Sequence, residues 1–348
     1  MINSDIFKCK LLLGNAEKVL EQFSSNTFHT VVTSPPYWQL RDYKVAAQLG
    51  QEETPQEYVE KIVSLGREIK RVLRDDGTFW LNLGDTYCKK NIKKSNLKQQ
   101  DLVGIPWRVA LALQEDGWYL RSDIIWEKEN PQPESQKRRP AKSHEHLFLF
   151  SKTLKYYYDA DAIAVPQKEI SIKRAFSKNR VEKRKDYGDD NYAISGESQN
   201  KTYEKMRKKI LSGAKIMRSI RDVWRIATAN NKLKHFAIMP EKLVERCILA
   251  GSSSKGCCPK CKVPWNRIDD SDEWEAGCEC GEKEVQECLV LDPFNGSGTT
   301  GRVCKSFHRK YVGIDINEKY LNIARESLVG DSSDYFAEEV SSIEEIVE

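Results

Sequence analysis

Apolar and polar positions along the 348-residue chain follow two different periods. Short, nearly continuous apolar runs end at Val31 and Val32 and recur at residues 79–83, 122–126, 146–150, 289–292 and 311–315. That is the pattern of strands buried on both faces. Between them, residues 55–73, 105–113 and 241–250 place apolar side chains at intervals of three and four, which predicts amphipathic helices. Thr54 is positioned to cap the first helix, and the second begins near a proline. Residues 156–158 (Tyr-Tyr-Tyr) read as a continuation or partner of the strand at 146–150. The polar stretch 167–199 has little periodicity and reads as a mobile loop. Alternating strands and helices predict an α/β domain with a mostly parallel sheet. No internal repeat interrupts the pattern.

The run ending at Val32 opens directly into Thr33-Ser34-Pro35-Pro36-Tyr37-Trp38. Two consecutive prolines neither extend a ladder nor start a helix there, so the chain leaves its sheet stiff and extended. Such a turn presents a hydroxyl, backbone carbonyls and an aromatic face at the carboxyl end of a strand, which suits a flat polar ring. Taken alone it is equally a proline-rich loop on any α/β protein. A second motif narrows the choice. Leu289-Val-Leu-Asp292-Pro293-Phe294-Asn-Gly296-Ser-Gly298-Thr299-Thr300 reads as a strand, a glycine turn and a helix start. It lacks the G-x-G-x-x-G spacing and any P-loop lysine, so phosphate binding is not its natural reading. Tyr311-Val-Gly-Ile-Asp315 is a further strand ending in an acid, where a carboxylate can accept both hydroxyls of a ribose.

Together these residues resemble the amino-group DNA methyltransferases, which use S-adenosylmethionine. Residues 33–43 (TSPPYWQLRDY), 77–85 (GTFWLNLGD), 102–107 (LVGIPW), 117–130 (GWYLRSDIIWEKEN), 144–152 and 235–243 (HFAIMPEKL) all look like family blocks. The base-holding turn comes first and the cofactor turn last, similar to the circularly permuted class called beta. The resemblance implies a Rossmann-like sheet in which Ser34, Pro35, Pro36 and Tyr37 hold the target base, with Trp38 packed behind the turn. It implies cofactor contacts from Asp292, Pro293, Phe294, Gly296, Gly298, Thr299, Thr300 and Asp315, with His235, Phe236 and Pro240 as the opposite wall. Where the family often has Gly-Asp early in the chain, this one has Gly14-Asn15, so Asn15 offers the cofactor's adenine an amide rather than a carboxylate.

Charge distribution bears on the partner. The formal net charge is only +4, but residues 165–221 carry sixteen Lys and Arg against seven Asp and Glu, interleaved with Tyr187, Tyr192 and Tyr203. This segment, including Lys183, Arg184 and Lys185, together with upstream Arg138 and Arg139, reads as a surface for the phosphates of double-stranded DNA. Lys89, Lys90, Lys93 and Lys94 read rather as a solvated face. The expected organisation is a catalytic half at 1–161, a basic target-recognition region at 162–231, and a cofactor half at 232–251 and 289–330. A zinc-ribbon-like insertion at 252–288 and an acidic tail at 331–348 complete it. No apolar run approaches membrane-spanning length and no signal-peptide pattern opens the chain, so a cytoplasmic protein is expected.

The ten cysteines are not spread as a disulfide framework. Cys258-Pro-Lys-Cys261 and Cys278-Glu-Cys280 form two close pairs, the thiolate set a structural zinc takes, with Cys257 a rival to Cys258. Carbon-5 cytosine methylation is disfavoured because the chain has no Pro-Cys dipeptide to supply its nucleophile. The serine before Pro-Pro-Tyr is, by resemblance, the pattern of cytosine-N4 enzymes, with adenine-N6 transfer the alternative. An RNA methyltransferase and an inert zinc-containing DNA-binding protein remain the competing classes. The resemblance admits a cognate restriction endonuclease as a further partner without requiring one.

Overall fold

A computed structural model describes residues 8–45, 48–89, 96–176, 206–213, 215–229, 238–268 and 273–329, together with the isolated positions 2, 92, 204 and 344–345. The chain divides into two compact units, one made of Met1–Asp159 with Arg221–Glu348, the other of Ala160–Ile220. In the first unit, strands β1 (Cys9–Leu13), β2 (Phe28–Thr33), β3 (Leu73–Leu83), β4 (Tyr119–Lys128) and β5 (His144–Ser151) are interleaved with helices α1 (Ala16–Leu20), α2 (Pro55–Val72) and α3 (Ile105–Glu115). The second unit holds strand β6 (Val165–Pro166), helix α4 (Glu169–Phe176) and strand β7 (Met217–Arg218), with β6 and β7 antiparallel. The first unit resumes with β8 (Val223–Ile226), α5 (Glu241–Gly251), β9 (Asn266–Arg267), β10 (Trp274–Glu275), β11 (Leu289–Asp292), α6 (Thr299–Ser306), β12 (Lys310–Asp315), α7 (Glu318–Val329) and β13 (Glu344–Glu345).

Among the described residues, nine strands form one mixed, mostly parallel sheet in the order β13-β1-β12-β11-β2-β3-β5-β4-β8, in which β5 alone runs antiparallel to its neighbours, β3 and β4. Every residue of β2 and β11 is buried, as expected for central strands covered on both faces. Alternate side chains of β3 feed two cores. Phe79 packs on Trp118 and Phe150, at centroid distances of 5.3 and 5.7 Å, while Trp80 meets Trp224 at 6.4 Å. Helix α2 starts with a full capping box, Thr54 accepting from the Glu57 N–H while the Glu57 side chain accepts from the Thr54 N–H.

Three expectations are corrected. Residues 156–158 form no strand: β5 ends at Ser151, and Tyr157 N–H instead donates to Asp76 O at 2.8 Å. Tyr158 stacks on Trp80 and Tyr156 lies under the Arg121 guanidinium, so aromatic packing holds the segment. The stretch expected as a loop from residue 167 begins with helix α4, and its residues 177–199 lie outside the described residues. Strand β3 begins six residues earlier than the apolar run, at Leu73, because pairing with Phe28 carries its polar first half into the ladder across a register shift. Among the described residues no helix is long and apolar enough to cross a membrane.

Replacing Thr54 by Ala should lower stability by about 1 kcal/mol, read as a shift in urea midpoint at unchanged slope.

Candidate functional site

Strands β11 and β2 lie side by side and parallel, although far apart in sequence, so their carboxyl ends open a crevice of the kind in which ligands of α/β sheets sit. The two exit turns are tied together. Thr33 Oγ1 donates to Asp292 Oδ1 at 2.7 Å, and Thr300 Oγ1 donates to Asp292 Oδ2 at 2.7 Å. Phe294 N–H adds a third bond to Oδ1 at 3.1 Å. Burial pushes the Asp292 carboxyl up to about 6, and these donors act in the opposite sense.

A cavity of about 390 Å³ opens beside this junction, within the size range of small-molecule sites. It is lined by Asn15, Ser34, Pro36, Phe294, Gly296 and Asp315, with Tyr43, Ile238, Asn317 and Tyr320 among further wall residues. Asn15 is also the N-cap of α1, its side chain accepting from the N–H groups of Glu17 and Lys18. Asp315 Oδ2 accepts from Gly296 N–H at 2.8 Å and Oδ1 from Asn317 N–H at 2.9 Å, which leaves the carboxylate acceptor capacity for a ligand hydroxyl. Burial pushes this carboxyl to about 6 as well.

The expected cofactor residues therefore separate. Pro293, Phe294, Gly296, Asp315 and Asn15 line the cavity, whereas Asp292, Thr299 and Thr300 are buried behind it. Gly298 is the left-handed residue before α6 and faces α7: a Cβ there would stand 2.8 Å from Ala324 Cβ. Pro240 is the N-cap of α5; His235 and Phe236 lie outside the described residues.

On the Ser-Pro-Pro-Tyr turn, Pro35 is buried and its neighbours Ser34, Pro36 and Tyr37 are half-buried. Pro36 O accepts from Tyr58 Oη at 3.0 Å, and Trp38, fully buried, donates from Nε1 to Glu52 O at 3.0 Å. Three residues outside the motif complete this side: Asn82 on β3, Lys128 on β4 and Glu145 on β5, all bonded around the Tyr37 hydroxyl or to one another. The signal that could have revealed Asn82 and Glu145 is a polar residue inside or beside an apolar strand run. Of the expected DNA contacts, Arg138 is exposed. Arg139 is engaged with Glu134 at 2.7 Å and stacked 3.8 Å from the Tyr87 ring. Lys183, Arg184 and Lys185 lie outside the described residues.

The sulfurs of Cys258, Cys261, Cys278 and Cys280 gather within 4.8 Å of one another, while Cys257 sits apart with His29 and Cys288. Lys262, in a left-handed conformation, closes the first knuckle, its N–H donating to Cys258 O at 2.9 Å. The four-thiol donor set is chemically that of a closed, structural metal site. In the other group, His29 Nδ1 accepts from Leu289 N–H at 3.0 Å and Nε2 therefore donates to Lys262 O at 2.8 Å. Both ring nitrogens are occupied by backbone groups, so that histidine is a strut. Arg74 adds a second tie, to Cys261 O at 3.1 Å. Both struts spring from the amino ends of β2 and β3, the opposite end of the sheet from the cavity.

A profile of the family described as DNA methylase matches residues 28–326. The chain is 36% identical over 347 residues to the type II methyltransferase M.SmaI of Serratia marcescens, covering 94% of this chain and 93% of that one. It is likewise 36% identical over 342 residues to M.Cfr9I of Citrobacter freundii, with 93% and 88% covered. In fold it is similar to the solved PvuII DNA methyltransferase (cytosine-N4-specific), with TM-score 0.58 at 17% identity over 96% of this chain and 90% of that one. It is also similar to a putative DNA modification methylase of Thermus thermophilus solved with S-adenosyl-L-methionine, with TM-score 0.52 at 18% identity over 97% of each chain.

Gly298→Ala should cost about 2 kcal/mol, since the new methyl meets Ala324 in a left-handed backbone. Gly296→Ala, whose Cβ has nothing nearer than 3.9 Å, should cost roughly 1 kcal/mol from its backbone conformation alone. Equal losses on urea unfolding would mean that α6 and α7 are not in tight contact there.

Proposed function

This chain belongs to the amino-group DNA methylase family, and from that premise we propose that it methylates the exocyclic N4 amine of cytosine in double-stranded DNA. The observation carrying this reading is that Ser34, on its proline-stiffened turn, lines the same cavity as Phe294 and Asp315. Cofactor and base groups thus share one crevice. The cavity fits S-adenosylmethionine in size and chemistry. Phe294 offers an aromatic wall, Asp315 an acceptor for ribose hydroxyls, and Asn15 an amide for the adenine edge. When bound, the cofactor supplies the methyl group: the amine nitrogen gains it, the sulfur keeps the electron pair of the broken bond, and one amine proton leaves to solvent.

The residues of the chain supply position and polarity. A cytosine amine is a poor nucleophile because its lone pair is delocalised into the ring. Ser34 Oγ and the Pro35 carbonyl accept its two hydrogens, which favours a more tetrahedral nitrogen. The target amine is inaccessible to this chemistry inside a duplex, so the base is flipped out and stacks on the ring of Tyr37. The basic segment 165–221, with Lys183, Arg184 and Lys185, supplies phosphate affinity and register. The motif order is that of the permuted beta class. The type II relatives support a role beside a cognate restriction endonuclease. Ser34, rather than Asp or Asn before Pro-Pro-Tyr, favours cytosine; adenine-N6 transfer is the second reading, since both amines present similar geometry.

The second part of the proposal is a structural zinc on Cys258, Cys261, Cys278 and Cys280. Its donors are thiolates only, and the histidine and arginine struts hold it away from the cavity, so its role is to order residues 252–288.

Methylation of mixed DNA followed by nucleoside mass spectrometry should give N4-methylcytosine, with N6-methyladenine alone overturning the choice of base. Ser34→Ala should lower the transfer rate about 100-fold while cofactor affinity changes little. The purified protein should carry about one zinc per molecule, and Cys261→Ser should lose metal and melting temperature together. A metal-free protein with normal melting would remove the zinc.

A further inference from the structure

The turn that carries Ser34 is wired to a half-buried carboxylate outside the motif. Tyr37 Oη donates to Glu145 Oε2 over 2.7 Å, and Lys128 Nζ holds Glu145 Oε1 at 2.6 Å. Ser34 Oγ lies 3.1 Å from Tyr37 Oη. Asn82 Nδ2 reaches Tyr37 Oη at 2.7 Å, Glu145 Oε2 at 2.9 Å and Ser34 Oγ at 3.4 Å. Asn82, Lys128 and Glu145 stand on β3, β4 and β5, adjacent strands of one sheet, so ladder positions set these distances.

Counting hydrogens fixes the direction of each bond. The phenol has one proton, and Glu145 takes it. Turning the Asn82 amide round would set its oxygen against that carboxylate. The observed orientation is therefore the sound one, although it leaves Oδ1 buried with no hydrogen-bond partner. Tyr37 Oη has only acceptor capacity left, so Ser34 must donate to it. The Ser34 oxygen then offers lone pairs to its surroundings, and Ser34 lines the cavity.

We propose that Glu145 is a positioning residue for methyl transfer which, acting through Tyr37, holds Ser34 as a hydrogen-bond acceptor toward the target amine. This rests on the reading of Ser34 as the base-holding group. A serine hydroxyl without such an anchor rotates and can present its proton to the base, and a donor facing the amine does nothing to free its lone pair. Two electrostatic effects keep the wiring in this state at neutral pH. Burial pushes the Glu145 carboxyl up, but the Lys128 charge and the bonds from Lys128, Tyr37 and Asn82 outweigh it and hold the group below the usual carboxylate range. Burial, and then the Glu145 charge, push the Tyr37 phenol well above its ordinary range, so it keeps its proton.

The test joins a binding readout that needs no methyl transfer to a double-mutant cycle. Duplex DNA with its normal base at the methylated position is compared with a duplex in which that base lacks the amine, 2-pyrimidinone for cytosine or purine for adenine. The wild type should prefer the amine-bearing duplex about ten-fold. Glu145→Gln and Tyr37→Phe should each lose most of that preference, with S-adenosylmethionine affinity unchanged. In Glu145→Gln the amide nitrogen turns away from Lys128 toward Tyr37, which sends the phenol proton to Ser34. Tyr37→Phe cuts the relay while leaving the Glu145–Lys128 pair and the aromatic ring in place, so it reports even if the first variant folds poorly. Each single variant should lower kcat about ten-fold or more, and neither should lower it further in a Ser34→Ala background. Additive losses, or amine preference retained in both variants, would overturn the proposal. If Ser34→Ala alone leaves both kcat and preference intact, the reading of Ser34 falls and the role of Glu145 falls with it.

Discussion

The bonds that Asp292 makes to Thr33 and Thr300 are the constraint on which the site depends. Thr33 ends β2 and Asp292 ends β11, more than two hundred and fifty residues away in sequence. A buried carboxylate taking a hydroxyl from each side fixes where the two turns begin, and so fixes the crevice between them. The cost is visible in its raised affinity for a proton: burial disfavours the charge, and three donors only partly offset that. Asp292 contributes no wall to the cavity. Its work is to hold Ser34 on one turn and Phe294 and Gly296 on the other at one ligand-sized separation.

The sheet separates chemistry from support along its strands. The carboxyl ends of β2, β11 and β12 carry Ser34, Asp292 and Asp315, while the amino ends of β2 and β3 carry His29 and Arg74, the struts to the cysteine module. The four-thiol group therefore lies toward the end of the sheet away from the cavity. Beside the cavity, the antiparallel strand β5 delivers Glu145 to the Tyr37 hydroxyl. It does so from a ladder position, which is more exact than a loop would allow.

Much of this was legible in the chain. The apolar runs at 79–83, 122–126, 146–150, 289–292 and 311–315 all fall within strands, and Thr54 caps its helix as the residue order predicts. Other elements were hidden for physical reasons. Strands β1 and β8 are short, and each exists because it pairs with a distant partner, β12 and β4 respectively; neither partner is written locally. The polar start of β3 contains no apolar run, and it joins the ladder where Phe28 pairs with Leu73. Residues 156–158 have strand-forming aromatics, but side-chain stacking and a backbone bond to Asp76 hold them without a ladder.

The motif residues themselves were set by local chemistry. Paired prolines stiffen a turn wherever they stand, and each close cysteine pair offers metal-ligand spacing by itself. Sequence alone therefore determined the family, the proline-stiffened turn and the candidate metal ligands. Only the tertiary structure decided which residues each of these meets. It placed Cys258 with the other three thiols and Cys257 with His29, and it put Gly298 against a helix instead of the cavity. It also brought Asn82, Lys128 and Glu145 to Tyr37. Those assignments depend on which strands lie side by side and on which face each side chain emerges, and such distances arise when the sheet closes.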